Sequence, residues 1–428
     1  MSKIHLKYDL DEKPPFKELL PFGLQWLVIT IPMIIIIGKL VAGLHYDDPG
    51  AQTIYMQKIF FVMGISLLAQ ILWGHRLPLI MGPASVLLVG IIASLASSIN
   101  TIYTSIFLCG LILAVLSITG LFKPIIKLFT PNVVIVILLL IPFTLVPTIL
   151  NLIFPSGASV NPFHNLLFAL VLIFTLFWTN KVLTGIWKTT LIVWAMIIGH
   201  FLYSILFSVP LYQQVNTNLF AGFWSNFTTS FSLDTGVLIS FFICYLALAT
   251  NELGSIQSVG EVLKPDEMTK RTDRGITITG LSNVLAGFLG VIGPVSFSLS
   301  LGVITSTGVA SRFTLIPTAL GLMTLGFMPS AITILGSISS VVIGAILVYI
   351  LTSQVAAGFM LVAKNQNFKL EQGLLIGFPL LLSVLISFIP TTALNLFPDL
   401  LKPLLGNGFV VGFLGVLIME HIIYKERA

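Results

Sequence analysis

Hydrophobic residues run along this chain in blocks of roughly twenty, separated by short polar or charged segments. The blocks fall near 22–43, 56–74, 78–97, 101–121, 131–154, 163–179, 184–208, 236–258, 275–292, 295–310, 314–335, 339–362, 372–390 and 408–424. A helix needs about 20 apolar residues to cross a bilayer. Each block therefore predicts a spanning helix, and the chain reads as an all-α polytopic membrane protein with fourteen transmembrane spans. The blocks lack the apolar–polar alternation of membrane β-strands. Two of them, 78–97 and 295–310, carry a Gly-Pro pair at or near the start.

An even span count puts both termini on one side. With the termini inside, 18 of the 21 Lys and Arg residues fall in inner segments, and only Lys39, Lys58 and Lys402 fall outside. A wrong count would scramble this bias after the error, so the positive-inside rule supports the count. It predicts a multi-pass protein of the cell membrane with both termini cytoplasmic. The tail from Met1 to Pro21 is charged and has no apolar core of a signal peptide, so cleavage is not expected.

Two segments resemble each other: Met81-Gly82-Pro83-Ala84-Ser85-Val86 and Ile292-Gly293-Pro294-Val295-Ser296-Phe297. They lie 211 residues apart, close to half the chain, in the third and tenth blocks. Each half then holds seven spans, and an odd number inverts the second half. Two inverted seven-span repeats are an architecture of secondary transporters. Gly permits a sharp backbone change, and Pro suits the first helical turn. Spans 3 and 10 are therefore expected to begin as short extended stretches that lead into half-helices. The free N–H groups at such starts carry partial positive charge and can meet ligand oxygens.

Composition sharpens this picture. Hydrophobic residues make up 56% of the chain and charged residues 9%, against about 25% charged in soluble domains. That excludes a soluble globular protein, a disordered chain and a disulfide scaffold. Cys109 and Cys244 both lie inside apolar blocks and read as small buried hydrophobes. The net charge of +5 is a topology signal and does not call for nucleic acid. No zinc signature, phosphate-binding Gly-rich loop or nucleophile elbow is present, which argues against an ATP-driven pump and a membrane hydrolase. No enzyme activity, metal or cofactor is expected beyond a coupling ion.

Intramembrane carboxylates are costly and mark function by default. Glu252, in the eighth block, is the acidic residue that lies well below a span end, whereas Glu261 sits beside the basic loop 264–274. Glu252 is a candidate substrate ligand and coupling-ion site. Ser296, Ser298 and Ser300 alternate, so an extended backbone could present them on one face. Gln25 and Gln354 are further polar candidates inside spans. His200 and His421 have no ligand-spaced partner and read as packing or interfacial residues.

At this point the residues resemble a family, the nucleobase–ascorbate transporters, which include the bacterial uracil and xanthine permeases. The likeness covers nearly the whole chain in span order and is sharpest from Asn251 to Gly308. The stretch Arg271-Thr272-Asp273-Arg274-Gly275, followed by Gly280 to Gly290, is similar to the loop and ninth helix of these permeases. In the signature window from Leu299 to Gly308, Gly302, Thr307 and Gly308 match, while Leu299 and Ser300 depart. Uracil permeases place a base-binding glutamate where Leu299 stands. Their eighth-span glutamate, three residues before a glycine, is matched in place by Asn251, with Glu252 one residue later. Gln25 matches the Gln of a first-span Gln-His pair. Ser85 stands where uracil permeases place a Phe whose backbone contacts the base, and Phe297 and Ser298 stand at the matching tenth-span positions.

The resemblance implies a nucleobase permease working by alternating access. Substrate binding falls to Glu252, Asn251, Ser255, Ser85, Phe297, Ser298, Ser300 and Gln25. It implies a cytoplasmic tail (1–21) and a core domain of spans 1–4 and 8–11 (22–121 and 236–335). A gate domain of spans 5–7 and 12–14 (122–235 and 336–428) completes the chain. Proton symport is the family's usual bacterial mode, with sodium the alternative ion. The partners expected are a small-molecule base, the lipid bilayer and a homodimer mate through the gate domain. The competing expectation is an anion transporter of the sulfate permease type, which shares the inverted seven-span architecture; the serine-rich tenth span without a glutamate at Leu299 keeps it in view.

Overall fold

The computed structural model describes residues 6–156, 160–212, 218–225, 227–364, 369–394, 396–398 and 401–424. Lys3, Lys425 and Arg427, counted above among the inner basic residues, lie outside them, as do the side chains of Lys123, Lys364 and Ser306.

The blocks fold as helices. The main ones are α1 (Phe16–His45), α2 (Pro49–Leu72), α3 (Ser85–Ala93), α4 (Ile99–Ile118), α5 (Pro131–Ile153), α6 (Pro162–Val182) and α7 (Leu191–Phe207). The second half holds α8 (Thr235–Leu263), α9 (Met268–Leu289), α10 (Ser300–Thr307), α11 (Leu315–Gly326), α12 (Ser340–Lys364), α13 (Leu370–Ser387) and α14 (Gly408–Ile418). Polar residues at the apolar boundaries start many of them. Asp48 caps α2, Ser98 α4, Thr130 α5, Asp234 α8 and Asn407 α14, each accepting a first-turn N–H that has no partner within the helix.

Eight of the described helices (α1, α2, α4, α5, α6, α8, α12 and α13) are long and apolar enough to cross a membrane. The remaining blocks depart from that length for visible reasons. α9 carries Lys270, Arg271, Asp273 and Arg274 in its first two turns. Block eleven bends by 95° between α11 and a short helix, Pro329–Gly336, because Pro cannot continue the preceding helix. α7 and α14 are shorter apolar helices.

Blocks three and ten fold as the Gly-Pro pairs predict. Each opens with a short strand, β1 (Met81–Pro83) and β2 (Pro294–Ser296), followed by a half-helix, α3 or α10. The strands pair antiparallel, with Met81 opposite Ser296, Gly82 opposite Val295 and Pro83 opposite Pro294. The two equivalent prolines thus face each other across the middle of the molecule. Beyond them Ala84 N–H donates to Gly293 O at 2.9 Å, and Phe297 N–H donates to Ile80 O at 2.9 Å.

Helices α1–α4, α8, α9 and α11 pack chiefly on one another, with α4 against α9 and α2 against α11, while α10 lies against α8 and the short helix Gly185–Thr189. A second set packs among α5, α6, α7, α12, α13 and α14. Small residues let backbones approach in the first set, as is usual in lipid. A Cβ on Gly280 would stand 2.6 Å from Ala114 N, and one on Gly287 would stand 2.5 Å from Phe107 N. Cys109 and Cys244 are free and buried.

Candidate functional site

The strand pair is short because proline has no N–H to extend a ladder. Its outer edge is completed by α8. Glu252 and Ser255 are three residues apart and so share a helix face, which lies against Ser296. Ser296 N–H donates to Glu252 Oε2 at 2.7 Å, and Ser296 Oγ donates to Glu252 Oε1 at 2.8 Å. Ser255 Oγ in turn donates to Ser296 O at 2.9 Å. Two side chains of a helix thus do for Ser296 what a third strand would do. Glu252 is fully buried, and the Thr279 hydroxyl also reaches its carboxylate.

Behind Ser296 stands His75, also fully buried. Leu77 N–H donates to its Nδ1 at 2.9 Å, so the proton of the neutral ring sits on Nε2, 3.5 Å from Ser296 Oγ. Gln70 accepts from His75 N–H and donates to Gly275 O and Thr279 Oγ1. Arg271 Nη1 closes the cluster on the carbonyls of His75 and Arg76. The sequence reading did not single out His75. A lone His in a basic loop between apolar blocks looks interfacial, and only the fold brings it against β2.

On the opposite side of the strand crossing lies a cavity of about 220 Å³, smaller than the ~300–1,000 Å³ typical of drug-sized sites. It opens between the two packing sets. Ser85 and Leu88 of α3, Asn251 of α8, and Phe297, Ser298 and Leu299 before α10 line one side. Leu138 and Leu145 of α5, with Leu347, Ile350, Leu351, Ser353 and Gln354 of α12, line the other, and Met33, Ile36 and Ile37 of α1 complete it. None of the described lining residues is charged.

Of the residues expected at the substrate, the cavity brings together Ser85, Asn251, Phe297 and Ser298. Glu252, Ser255, Ser300 and Gln25 stand outside its lining. Glu252 turns about 100° away from Asn251 around α8, towards Ser296, and the Ser255 hydroxyl is taken up by Ser296 O. Ser300 Oγ accepts from Ile80 N–H at 3.0 Å and donates to Phe297 O at 2.9 Å, so it fastens α10 to β1. Gln25 lies on α1 with a buried Nε2 that has no hydrogen-bond partner. The alternating serines therefore do not share one face: the Ser296 hydroxyl bonds Glu252, that of Ser300 bonds the backbone of Ile80 and Phe297, and Ser298 between them meets the cavity. Leu299 lines the cavity at the position where the uracil permeases carry glutamate. His200 and His421 each bond a backbone carbonyl, Leu211 O and Leu128 O. Among the described residues no three His, Cys, Asp or Glu side chains cluster as a metal site would require.

Many apolar helices, two of them broken where their starts meet at an uncharged cavity, are the form of a multi-pass membrane permease. The chain belongs to the Permease family of nucleobase–ascorbate transporters, whose family model matches residues 17–392. It is 23% identical over 425 residues to the nucleobase transporter PlUacP of Paenibacillus larvae, covering 96% of this chain and 95% of that one. It is 22% identical over 425 residues to a xanthine permease of Bacillus subtilis, covering 96% and 94%. These relatives are named as transporters and permeases rather than enzymes. Among solved structures, the transmembrane domain of the cyanobacterial bicarbonate transporter BicA matches with a TM-score of 0.66 at 17% identity, covering 88% of this chain and 97% of that domain. That likeness is one of fold.

Proposed function

We propose that this protein is a secondary transporter for a purine or pyrimidine base, such as uracil, xanthine or a related flat heterocycle. The observation that carries the reading is the uncharged cavity at the starts of α3 and α10, lined by Ser85, Asn251, Phe297 and Ser298. Backbone N–H groups near Ser85 and Ser298, ahead of the paired first turns of α3 and α10, bind the carbonyl oxygens of the base. The Asn251 carboxamide, which both donates and accepts, meets its ring N–H or carbonyl. Phe297 supplies an aromatic wall for a flat ring.

Transport runs by alternating access. The set α1–α4 and α8–α11 is the core domain that carries the base, and α5–α7 with α12–α14 is the gate domain. A cavity with walls from both sets supports this division. The two facing prolines support an inverted repeat of seven spans in each half, fourteen in all. The basic bias of the inner segments supports cytoplasmic termini in the cell membrane. The apolar residues exposed on α6 and α13, such as Phe174 and Leu381, suit lipid or the gate domain of a homodimer mate.

Glu252 is the group we assign to coupling, with a proton as the driving ion and sodium as the alternative. As a carboxylate it accepts two hydrogen bonds from Ser296. Once protonated, one oxygen must become a donor, and the Ser296 hydroxyl must turn. Protonation therefore acts on β2, and through it on Phe297 and Ser298 in the cavity wall. The experiment is whole-cell uptake of labelled uracil and xanthine with and without a protonophore. Saturable uptake that collapses with the proton gradient is expected. Chloride, sulfate or bicarbonate flux with no uptake or binding of any base would overturn the reading in favour of an anion carrier.

A further inference from the structure

The half of the cavity opposite the strand crossing is almost wholly apolar. Leu138 and Leu145 of α5 and Leu347, Ile350 and Leu351 of α12 form it. Ser353 and Gln354 break this wall, and of the two Gln354 is the one with a buried atom left unpaired among the described residues. It sits on α12, one turn beyond Ile350 and Leu351, and lines the cavity. Its Oε1 is buried and has no hydrogen-bond partner among the described residues. A buried acceptor left unpaired is destabilising. Ligand binding is the event that can pair it.

We propose that Gln354 is a substrate ligand contributed by the gate side, so that the bound base is held between carboxamides of the two packing sets. This rests on the nucleobase reading and deepens it. Oε1 of Gln354 accepts one ring N–H, while Asn251, on the other side of the cavity, answers a second polar edge. Both groups are neutral carboxamides, and no charged side chain among the described residues lines the cavity. The substrate class is therefore a neutral heterocycle with at least one N–H edge turned away from the half-helix starts. Because one ligand sits on each packing set, a base that satisfies both also draws the sets together. Closure of the gate over the core is thereby linked to the correct arrangement of N–H groups on the base.

The test is calorimetric binding to the purified full chain, with uracil, xanthine and the N-methylated derivatives of each. Three proteins are compared: wild type, Gln354→Leu and, as a control on the same helix, Thr352→Ala. Thr352 is exposed, and its hydroxyl bonds only back to Val348 O. Gln354→Leu is expected to bind the base about tenfold or more weakly, as the loss of one buried hydrogen bond implies. Thr352→Ala is expected to bind as wild type does. In wild type, methylation at one ring nitrogen should cost a similar factor, and in Gln354→Leu that same methylation should cost little more.

A second reading separates ligand from scaffold. Leu removes an unpaired buried acceptor, so the ligand-free Gln354→Leu protein should melt at or above the wild-type temperature while its base-induced shift shrinks. Equal base affinity in wild type and Gln354→Leu, or a ligand-free variant that melts below wild type with its base-induced shift intact, would overturn the assignment. Absence of base binding in wild type would overturn the nucleobase reading itself, and this inference with it.

Discussion

Glu252 offers the sharpest perturbation, because its place behind β2 and a place at the base predict different outcomes. The carboxylate accepts from Ser296 N–H at 2.7 Å and from Ser296 Oγ at 2.8 Å, with no exposed surface. Glu252→Ala leaves both donors of Ser296 buried and unpaired, besides the Thr279 hydroxyl. At about 1–3 kcal/mol for each orphaned group, the two on Ser296 alone cost roughly 2–6 kcal/mol. Glu252→Gln keeps one acceptor oxygen for Ser296 N–H but turns an –NH2 towards the hydroxyl. Its cost is about that of one charge-assisted hydrogen bond, roughly 1.5–3 kcal/mol. The assay is thermal denaturation of the purified protein without ligand. Taking about 2 °C per kcal/mol for a large chain, Glu252→Ala should melt lower by ~4 °C or more, with Glu252→Gln between it and wild type. Both variants should also bind base more weakly, because Phe297 and Ser298 follow directly on the loosened strand. A Glu252→Ala protein that keeps its ligand-free melting temperature and loses only base binding would refute the reasoning. The carboxylate would then be a direct ligand, and the strand would hold without it.

Gly82→Ala places a Cβ 2.3 Å from Cε2 of Phe297; the ring must leave its place in the cavity wall, and base affinity should fall by tenfold or more in equilibrium binding while the protein still inserts and folds. Asn283 ties the same region together, donating to Thr279 O and Pro294 O and accepting from Tyr245 Oη. Asn283→Ala should cost about 1–3 kcal/mol for each buried group left unpaired, read as a fall in melting temperature. Asn251→Leu removes a cavity carboxamide without touching Ser296; it should raise the KM for uptake at least tenfold and leave ligand-free stability within about 1 kcal/mol of wild type, as expected away from buried networks.

Much of the frame was legible in the sequence because it follows from local physics. The Gly-Pro pairs at 82–83 and 293–294 announced the breaks, and each produced a strand and then a half-helix. The bend in block eleven escaped hydropathy, since apolar residues continue through it, although Pro329 marks the place. α9 begins at Met268, inside the loop that its charges suggest, because a helix can extend into water where its apolar stripe ends. The site was legible only in part. That Asn251 meets the cavity while Glu252 meets β2 depends on the rotation of α8 about its axis, and packing against the strand pair sets that angle. Gln70 and His75 meet Thr279 and Ser296 from 209 and 221 residues away in sequence, and no local pattern announces such a meeting. Gln354 stood among the polar candidates, but what distinguishes it from Gln25 is the wall each one faces.

The proposed transport cycle stands or falls on a nucleobase occupying the cavity between the two half-helix starts. A thermal-shift screen of the purified protein against purine and pyrimidine bases, with chloride, sulfate and bicarbonate alongside, tests it most directly. A concentration-dependent rise in melting temperature is expected with at least one base, abolished in Gly82→Ala, and none with the anions. Stabilisation by an anion and by no base, or base stabilisation that Gly82→Ala leaves intact, would contradict it.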